Sequence, residues 1–376
     1  MVFTGAYISG SIRLLQDIMA GAKASCGKMP KLWSEICTRL TAFSFINMER
    51  SAIIFGGTGY IGSRLARYLR QEGWGEIVLA DLRAPRKEIL GAVEYAYCDV
   101  RQPIREQIGA RRADWIFNFA AVHREPGHAF REYFDTNLPG AMNVCEYAEQ
   151  SKCRNIFFTS SIAVYGEITG PTDEAVRTYP DTGYGISKLC AELIHESWQV
   201  ADVTRRLVIV RPGVVYGPGD PGNILRMIRA IQKNMFVMPG DGSVRKSYAY
   251  IYGLLDSMEF MMLRPEPRLC YNYVERETEC LADLASSIAS ELGIRRPRVR
   301  VPTQVLVGVA RAAQILSGGK SPIHPVRVRK ASQSTHIVPG ELARLGFPFR
   351  YSFAESLKHW RSIAPEDFAR GKPVAR

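Results

Sequence analysis

The sequence predicts an α/β protein, a doubly wound parallel sheet followed by a smaller C-terminal lobe. Three observations carry that prediction. From Ser51 onward, short apolar runs alternate with longer stretches of helical periodicity, as βα repeats require. The first apolar run, Ala52-Ile53-Ile54-Phe55, passes through glycines at 56, 59 and 62 into the amphipathic Ser63-Arg64-Leu65-Ala66-Arg67-Tyr68-Leu69. After Tyr216-Gly217-Pro218-Gly219-Asp220-Pro221-Gly222 the alternation lapses and glycine and proline become denser, which places the start of the lobe near residue 216.

In chain order, residues 1–47 stand outside this pattern. They hold scattered lysines and short amphipathic pieces such as Lys31-Leu32-Trp33-Ser34-Glu35-Ile36. Nothing there is long and apolar enough to span a bilayer, and no cleavable leader is evident. They are expected to be a poorly ordered extension, with the fold starting at Met48. Ala52–Phe55 has no polar residue and so reads as a strand buried on both faces. Gly56 permits a tight strand-to-helix turn, Gly59 lets backbone approach a pyrophosphate, and Gly62 lets the helix pack closely on the strand. The pyrophosphate of a dinucleotide would then meet the free N–H groups of the helix start, at Thr58, Tyr60 and Ile61. The next strand, Ile77-Val78-Leu79-Ala80-Asp81, ends on a carboxylate placed to bind both ribose hydroxyls and to repel a 2′-phosphate, which favours NAD over NADP. Arg83, Arg86 and Lys87 just beyond it could neutralise such a phosphate and weigh the other way.

Further strands are expected at Glu94–Val100, Trp115–Ala121, Asn155–Ser161 and Leu207–Arg211, with helices at Gly140–Gln150 and Tyr184–Gln199 between them. This divides the chain into the extension 1–47, a nucleotide-binding Rossmann domain 48–215 and a substrate-binding lobe 216–376. Parts of about 245–275, notably Cys270-Tyr271-Asn272-Tyr273-Val274, would return to the sheet. Val305–Leu316 is apolar apart from Arg311 and Gln314. It reads first as a helix packed on the lobe, and second as a surface helix leaning on lipid.

The formal charge of +12 suits an anionic membrane surface or a phosphorylated substrate. Nucleic acid is disfavoured, because the basic residues are scattered and not interleaved with aromatics. Eight cysteines show neither CxxC pairing nor metal-ligand spacing, so they are expected to be reduced, in the cytoplasm, with no metal bound.

Tyr184-Gly185-Ile186-Ser187-Lys188 opens a helix, and the four-residue spacing sets Tyr184 and Lys188 on one face. An ammonium beside a phenol favours the phenolate, so Tyr184 could exchange a proton with a substrate hydroxyl. Ser161 falls at the end of the fifth strand, where open α/β sheets place their sites, and could bond the same substrate oxygen. These features resemble the extended short-chain dehydrogenase/reductase superfamily, in its NAD-dependent sugar epimerase/dehydratase branch. The resemblance runs from Met48 to Trp360 through Gly56–Gly62, Asp99-Val100, Asn118-Phe119-Ala120-Ala121, Asn137, Ser160–Gly166, Tyr184-x-x-x-Lys188 and Arg211-Pro212-Gly213.

The resemblance implies that Tyr184 is the general base, that Lys188 lowers its pKa and binds the nicotinamide ribose, and that Ser161 orients the sugar hydroxyl. It also implies that Asp99 and Val100 hold the adenine, and that Ala120, Ala121, Asn137 and Pro212 line the cofactor groove. Dehydratases of this kind carry an acid pair just after the serine or threonine. Here those positions are Ile162 and Ala163, which move no protons, so an epimerase is favoured. His123, Gly222-Asn223-Ile224, Lys246-Ser247 and Tyr271-Asn272-Tyr273-Val274 look like a surface-polysaccharide branch of N-acetylglucosamine 4-epimerases, acting on UDP- or undecaprenyl-diphosphate-linked sugar. On that resemblance His123, Asn223, Lys246 and Arg327 hold the substrate, and the protein is a homodimer. Lys246 stands where the branch usually has arginine, and Ser247 where it has aspartate, which weakens the match to uridine nucleotides. The alternatives are another nucleotide-sugar oxidoreductase of the superfamily and a non-catalytic NAD-binding subunit.

Overall fold

The computed structural model describes residues 50–85, 93–124, 127–318, 325–326, 328 and 332–369. The expectations for residues 1–47, Arg86, Lys87 and Arg327 therefore lie outside the described residues. Ala52–Phe55 (β1) is buried at every position, leads through Gly56 at φ +71°, and enters Tyr60–Gln71 (α1), which buries Leu65, Ala66 and Leu69. Ile77–Asp81 (β2), Glu94–Tyr97 (β3), Ile104–Ile108 (α2), Trp115–Asn118 (β4), Phe130–Gln150 (α3) and Asn155–Thr159 (β5) follow. A 3₁₀ turn at Ile162–Tyr165 leads to Gly183–Val200 (α4), Arg206–Pro212 (β6) and Val214–Tyr216 (β7). Then come Asn223–Gln232 (α5), Met238–Pro239 (β8), Tyr248–Tyr250 (β9), Ile251–Met262 (α6) and Arg268–Tyr273 (β10). Leu281–Glu291 (α7), Arg300–Val301 (β11), Thr303–Leu316 (α8), Gly340–Arg344 (α9) and Phe353–Ile363 (α10) complete the chain, ahead of a last 3₁₀ turn at Pro365–Phe368.

Seven strands form one parallel sheet in the order β10-β6-β5-β4-β1-β2-β3. From β1 the chain runs outward to β2 and β3, then crosses back to build β4, β5 and β6 on the other side. The crevice above the carboxyl ends of β1 and β4 is thus the switch point where such sheets take their ligands. Strand residues alternate between two cores, as the two-residue period of a strand demands. Ile54, Leu79, Phe117, Phe157 and Val208 face a core shared with α5, α6, α7 and α10, through Ile228, Met258, Leu284 and Trp360. Ile53, Val78, Ile116, Ile156 and Ile209 face a second core with α2, α3 and α4, through Ile104, Val144 and Trp198.

β10 joins the sheet beside β6, with Cys270 opposite Ile209 and Asn272 opposite Arg211, so chain beyond residue 216 supplies its edge. Two small parallel pairs, β7 with β9 and β8 with β11, shape the lobe. Helix α3 starts at Phe130, ten residues ahead of the expected Gly140, and carries Pro139 inside it. Proline disfavours helical backbone in the residue before it, which is why a reading of local signals stops there. Here packing against α4 holds the helix through the break. Among the described residues no helix is long and apolar enough to cross a membrane.

Candidate active site

The turn between β1 and α1 is shaped for close approach. A Cβ on Gly62 would lie 2.7 Å from the Gly56 carbonyl oxygen, and one on Gly56 would lie 2.6 Å from the Ala120 nitrogen. Gly59 caps α1 without any side-chain hydrogen bond, which leaves the first N–H groups of the helix, at Tyr60, Ile61 and Gly62, for a ligand or water. Asp81, closing β2, accepts the Thr58 N–H at 3.1 Å, so its carboxylate sits over the turn where a ribose would rest. At the ends of β4 and β5, Asn118 Oδ1, Thr159 Oγ1 and Ser160 Oγ are buried polar atoms with no hydrogen-bond partner among the described residues. Bare backbone donors, a carboxylate and unsatisfied buried polar atoms around one crevice fit a dinucleotide.

Ser161 lies two residues beyond β5 and caps the 3₁₀ turn, its Oγ accepting the Ala163 N–H at 3.1 Å. The N-terminus of α4 abuts that turn: a Cβ on Gly185 would lie 2.4 Å from the Ala163 carbonyl oxygen. Only glycine allows this approach, and the approach brings Tyr184 to the serine's side of the sheet. The Tyr184 ring packs on Tyr133 of α3 at 6.1 Å, and Tyr133 is itself pinned by its hydroxyl to the Arg124 carbonyl at 2.6 Å. One turn on, Lys188 is 2% exposed and sets its ammonium 4.2 Å from the centroid of the Phe158 ring on β5. Burial pushes the lysine down to about 7, partly countered by the Glu192 carboxylate on the same face. Ser161, Tyr184 and Lys188 therefore converge at the carboxyl end of β5.

Beneath them lies a polar network that the sequence reading missed. Glu192 takes the guanidinium of Arg211 by two bonds, at 2.6 and 2.9 Å, and both residues are buried. Arg211 also donates to the Tyr165 hydroxyl, which donates in turn to Asn272 Oδ1 on β10 at 2.8 Å. His195, fully buried, donates from Nδ1 to the Ala191 carbonyl and accepts from Asn118 Nδ2 at 3.2 Å. Burial pushes its imidazole down to about 4 and keeps it neutral. The signal was present: Lys188, Glu192 and His195 recur at i, i+4 and i+7, polar residues on the face of α4 that packs inward.

The remaining expected residues are placed variously. Ala120 and Ala121 follow β4 at the crevice, and Pro212 ends β6 buried. Asn137 is almost wholly buried and gives its amide to the Val122 backbone and to Ser187 Oγ, so it braces the groove wall from behind. Asp99 is held by Arg101 in a two-point pair that keeps its carboxyl below the usual range, while Val100 packs against Gly140. His123 lies near enough to Lys188 to feel its charge, and burial lowers its pKa. Asn223 opens α5 at an exposed position. The Lys246 ammonium donates to the Gln333 carbonyl, and burial pushes it down to about 8. Beside it Ser247 bonds Thr335 and Ile337, strapping segment 333–337 against the loop after β6. The six described cysteines are free thiols, and no metal-binding cluster occurs among the described residues.

Known proteins resemble this chain in sequence and fold. An undecaprenyl-diphosphate N-acetylglucosamine 4-epimerase of Escherichia coli O157:H7 is 27% identical over 321 residues, 82% of this chain and 94% of its own. The ADP-L-glycero-D-manno-heptose-6-epimerase of Helicobacter pylori superposes with a TM-score of 0.68 at 19% identity, covering 86% of this chain and 97% of its own. A UDP-glucuronic acid 4-epimerase from Bacillus cereus, solved with NAD, gives 0.66 at 17% identity over 85% of this chain and all of its own. The sequence profile of the NAD dependent epimerase/dehydratase family matches residues 52–272, more than half of the chain. The protein therefore belongs to the NAD dependent epimerase/dehydratase family, as an enzyme that works with NAD.

Proposed function

We propose that the protein is a 4-epimerase of a diphosphate-linked N-acetylhexosamine, serving surface-polysaccharide synthesis in the cytoplasm. The observation that carries this reading is the convergence of Ser161, Tyr184 and Lys188 on a serine turn continued by Ile162 and Ala163. That set can move one proton at one carbon and offers no second acid–base pair for an elimination. Bound NAD supplies a reversible hydride acceptor. Tyr184 Oη takes the proton of the C4 hydroxyl as the oxygen becomes a carbonyl, and gives it back after the sugar has turned its other face. Lys188, when charged, stabilises the phenolate before the first transfer and after the second, and the Ser161 hydroxyl bonds the reacting oxygen in both orientations. Lys246 supplies positive charge for the diphosphate and Asn223 an amide, with Arg327 as a further cation. The Escherichia coli relative, named for a polyprenyl-linked N-acetylglucosamine, supports both the sugar and a lipid carrier. The test is to incubate the NAD-loaded enzyme with UDP-N-acetylglucosamine and with its polyprenyl-diphosphate counterpart, and to analyse the released hexosamines. N-acetylgalactosamine from either is the expected product. Conversion of neither, or release of a dehydrated keto sugar, refutes the reading.

A further inference from the structure

Helix α8 turns one face inward and another outward, and apolar residues dominate both, with the exposed Gln304 and Arg311 flanking the outward one. Val307 and Ala310 are buried, with Thr303, Leu306, Ala313 and Gln314 half-buried beside them, which makes the inward stripe. The outward stripe is Val305, Gly308, Val309, Ala312, Ile315 and Leu316, and Ile315 and Leu316 are 80% and 88% exposed. A helix face that meets only water carries polar residues instead. The apolar surface does not stop at the helix. β11, just before it, pairs with β8, and there Val299, Met235 and Val237 are also exposed.

Charge on this face is one-sided. Arg295, Arg296, Arg298 and Arg300 precede α8, all exposed, and Arg311 sits on its outward side. Between Glu291 and Glu341 the sequence holds no aspartate or glutamate. Asp241, near enough to Arg300 to feel its charge, is an acid at the edge of the patch. A second copy of the chain would bring the same arginines against these arginines, and a nucleic acid would leave the apolar stripe facing water. A bilayer with anionic headgroups satisfies both halves: arginines at the phosphates, the valines, isoleucine and leucine at the acyl boundary.

The geometry points to the face formed by β8, β11 and α8 as a peripheral docking surface for an anionic lipid bilayer. It stands on the surface alone and does not depend on the catalytic reading, although a lipid-borne diphosphate would be delivered at such a surface.

The test is co-sedimentation of the full-length, NAD-loaded protein with phosphatidylcholine vesicles, with and without phosphatidylglycerol, at low and high salt. Binding should require phosphatidylglycerol and weaken with salt. Each arginine near the surface contributes about fivefold in partitioning, so the triple variant Arg295→Ser, Arg296→Ser, Arg298→Ser should bind roughly a hundredfold more weakly. The double variant Ile315→Ser, Leu316→Ser should also bind more weakly and become more salt-sensitive. Both variants should retain NAD, which shows that they fold. Wild-type protein that stays in the supernatant at low salt overturns the proposal, as does binding unchanged in both variants. A dimer dissociated by Ile315→Ser, Leu316→Ser with vesicle binding intact would assign the face to self-association, and binding to an oligonucleotide as tight as to vesicles would reduce it to a general polyanion surface. Either result also overturns it.

Discussion

Glu192 is the residue whose removal tests the mechanism most sharply, because it serves two partners at once. It holds Arg211 by bonds of 2.6 and 2.9 Å, and its charge opposes the loss of the Lys188 proton on burial. Glu192→Gln keeps the shape and one accepting oxygen but removes the charge. Breaking a buried pair by neutralising one partner costs about 3–5 kcal/mol, and the surviving hydrogen bond puts this case at about 3 kcal/mol. For a chain of this length that lowers Tm by about 4 °C. The catalytic effect has a definite sign. Lys188 is already pushed down to about 7 by burial, and without the carboxylate it falls further, so the ammonium that sustains the Tyr184 phenolate survives only at more acidic pH. The alkaline limb of the kcat profile should shift toward lower pH while KM changes little. Differential scanning fluorimetry with NAD and a pH series on the preferred substrate read both effects. A variant that melts with the wild type and keeps its profile would refute the argument.

Tyr184→Phe should cut turnover by about 10²–10⁴-fold or more while the enzyme still carries NAD, since only the proton-transferring oxygen is lost; equal turnover would remove Tyr184 from the chemistry. Asp81→Ala should weaken NAD by about tenfold or more and relax discrimination against NADP, read by titrating both into stripped protein. Gly62→Val puts a side chain 2.7 Å from the Gly56 carbonyl, so α1 must lift from β1. About 1–3 kcal/mol of stability and most NAD binding should go together, measured by urea unfolding and cofactor titration. His195 is held near 4 in the fold and titrates near 6.5 when unfolded, so the unfolded chain binds the extra proton between those values and stability falls as pH drops through that window, by about 3 kcal/mol. His195→Gln should flatten that slope in unfolding curves taken at pH 7.5 and 4.5.

Much of the fold could be read from residues because its signals are local. β1 and β2 fall where the apolar runs Ala52–Phe55 and Ile77–Asp81 place them, and the turn between β1 and α1 was legible from three glycines. The start of α3 was not legible, because Pro139 is a local stop that contact with α4 overrides. At the site, the four-residue spacing predicts that Tyr184 and Lys188 share one helical face, and both lie on α4. Arg211 stood in a quoted motif, yet its partnership with Glu192 and Tyr165 depends on three elements meeting, which no spacing in one segment reveals. Lys246 is legible as a cation of the lobe, but its bond to the Gln333 carbonyl arises only when the segment before β9 meets a distant loop.

The pairing of β10 with β6 has a consequence for how the chain is made. Residues 213–267 all emerge from the ribosome between two neighbours in the sheet, so β6 must wait for its partner. Leu207, Val208, Ile209 and Val210 are wholly buried once β10 arrives; until then they present a bare apolar edge, the template on which chains aggregate. A fragment ending near residue 215 would keep the glycine turn and the serine, tyrosine and lysine, yet expose that edge permanently. Such a truncation should precipitate on expression, and nascent chains stalled within α5 or α6 should be the ones that chaperones capture.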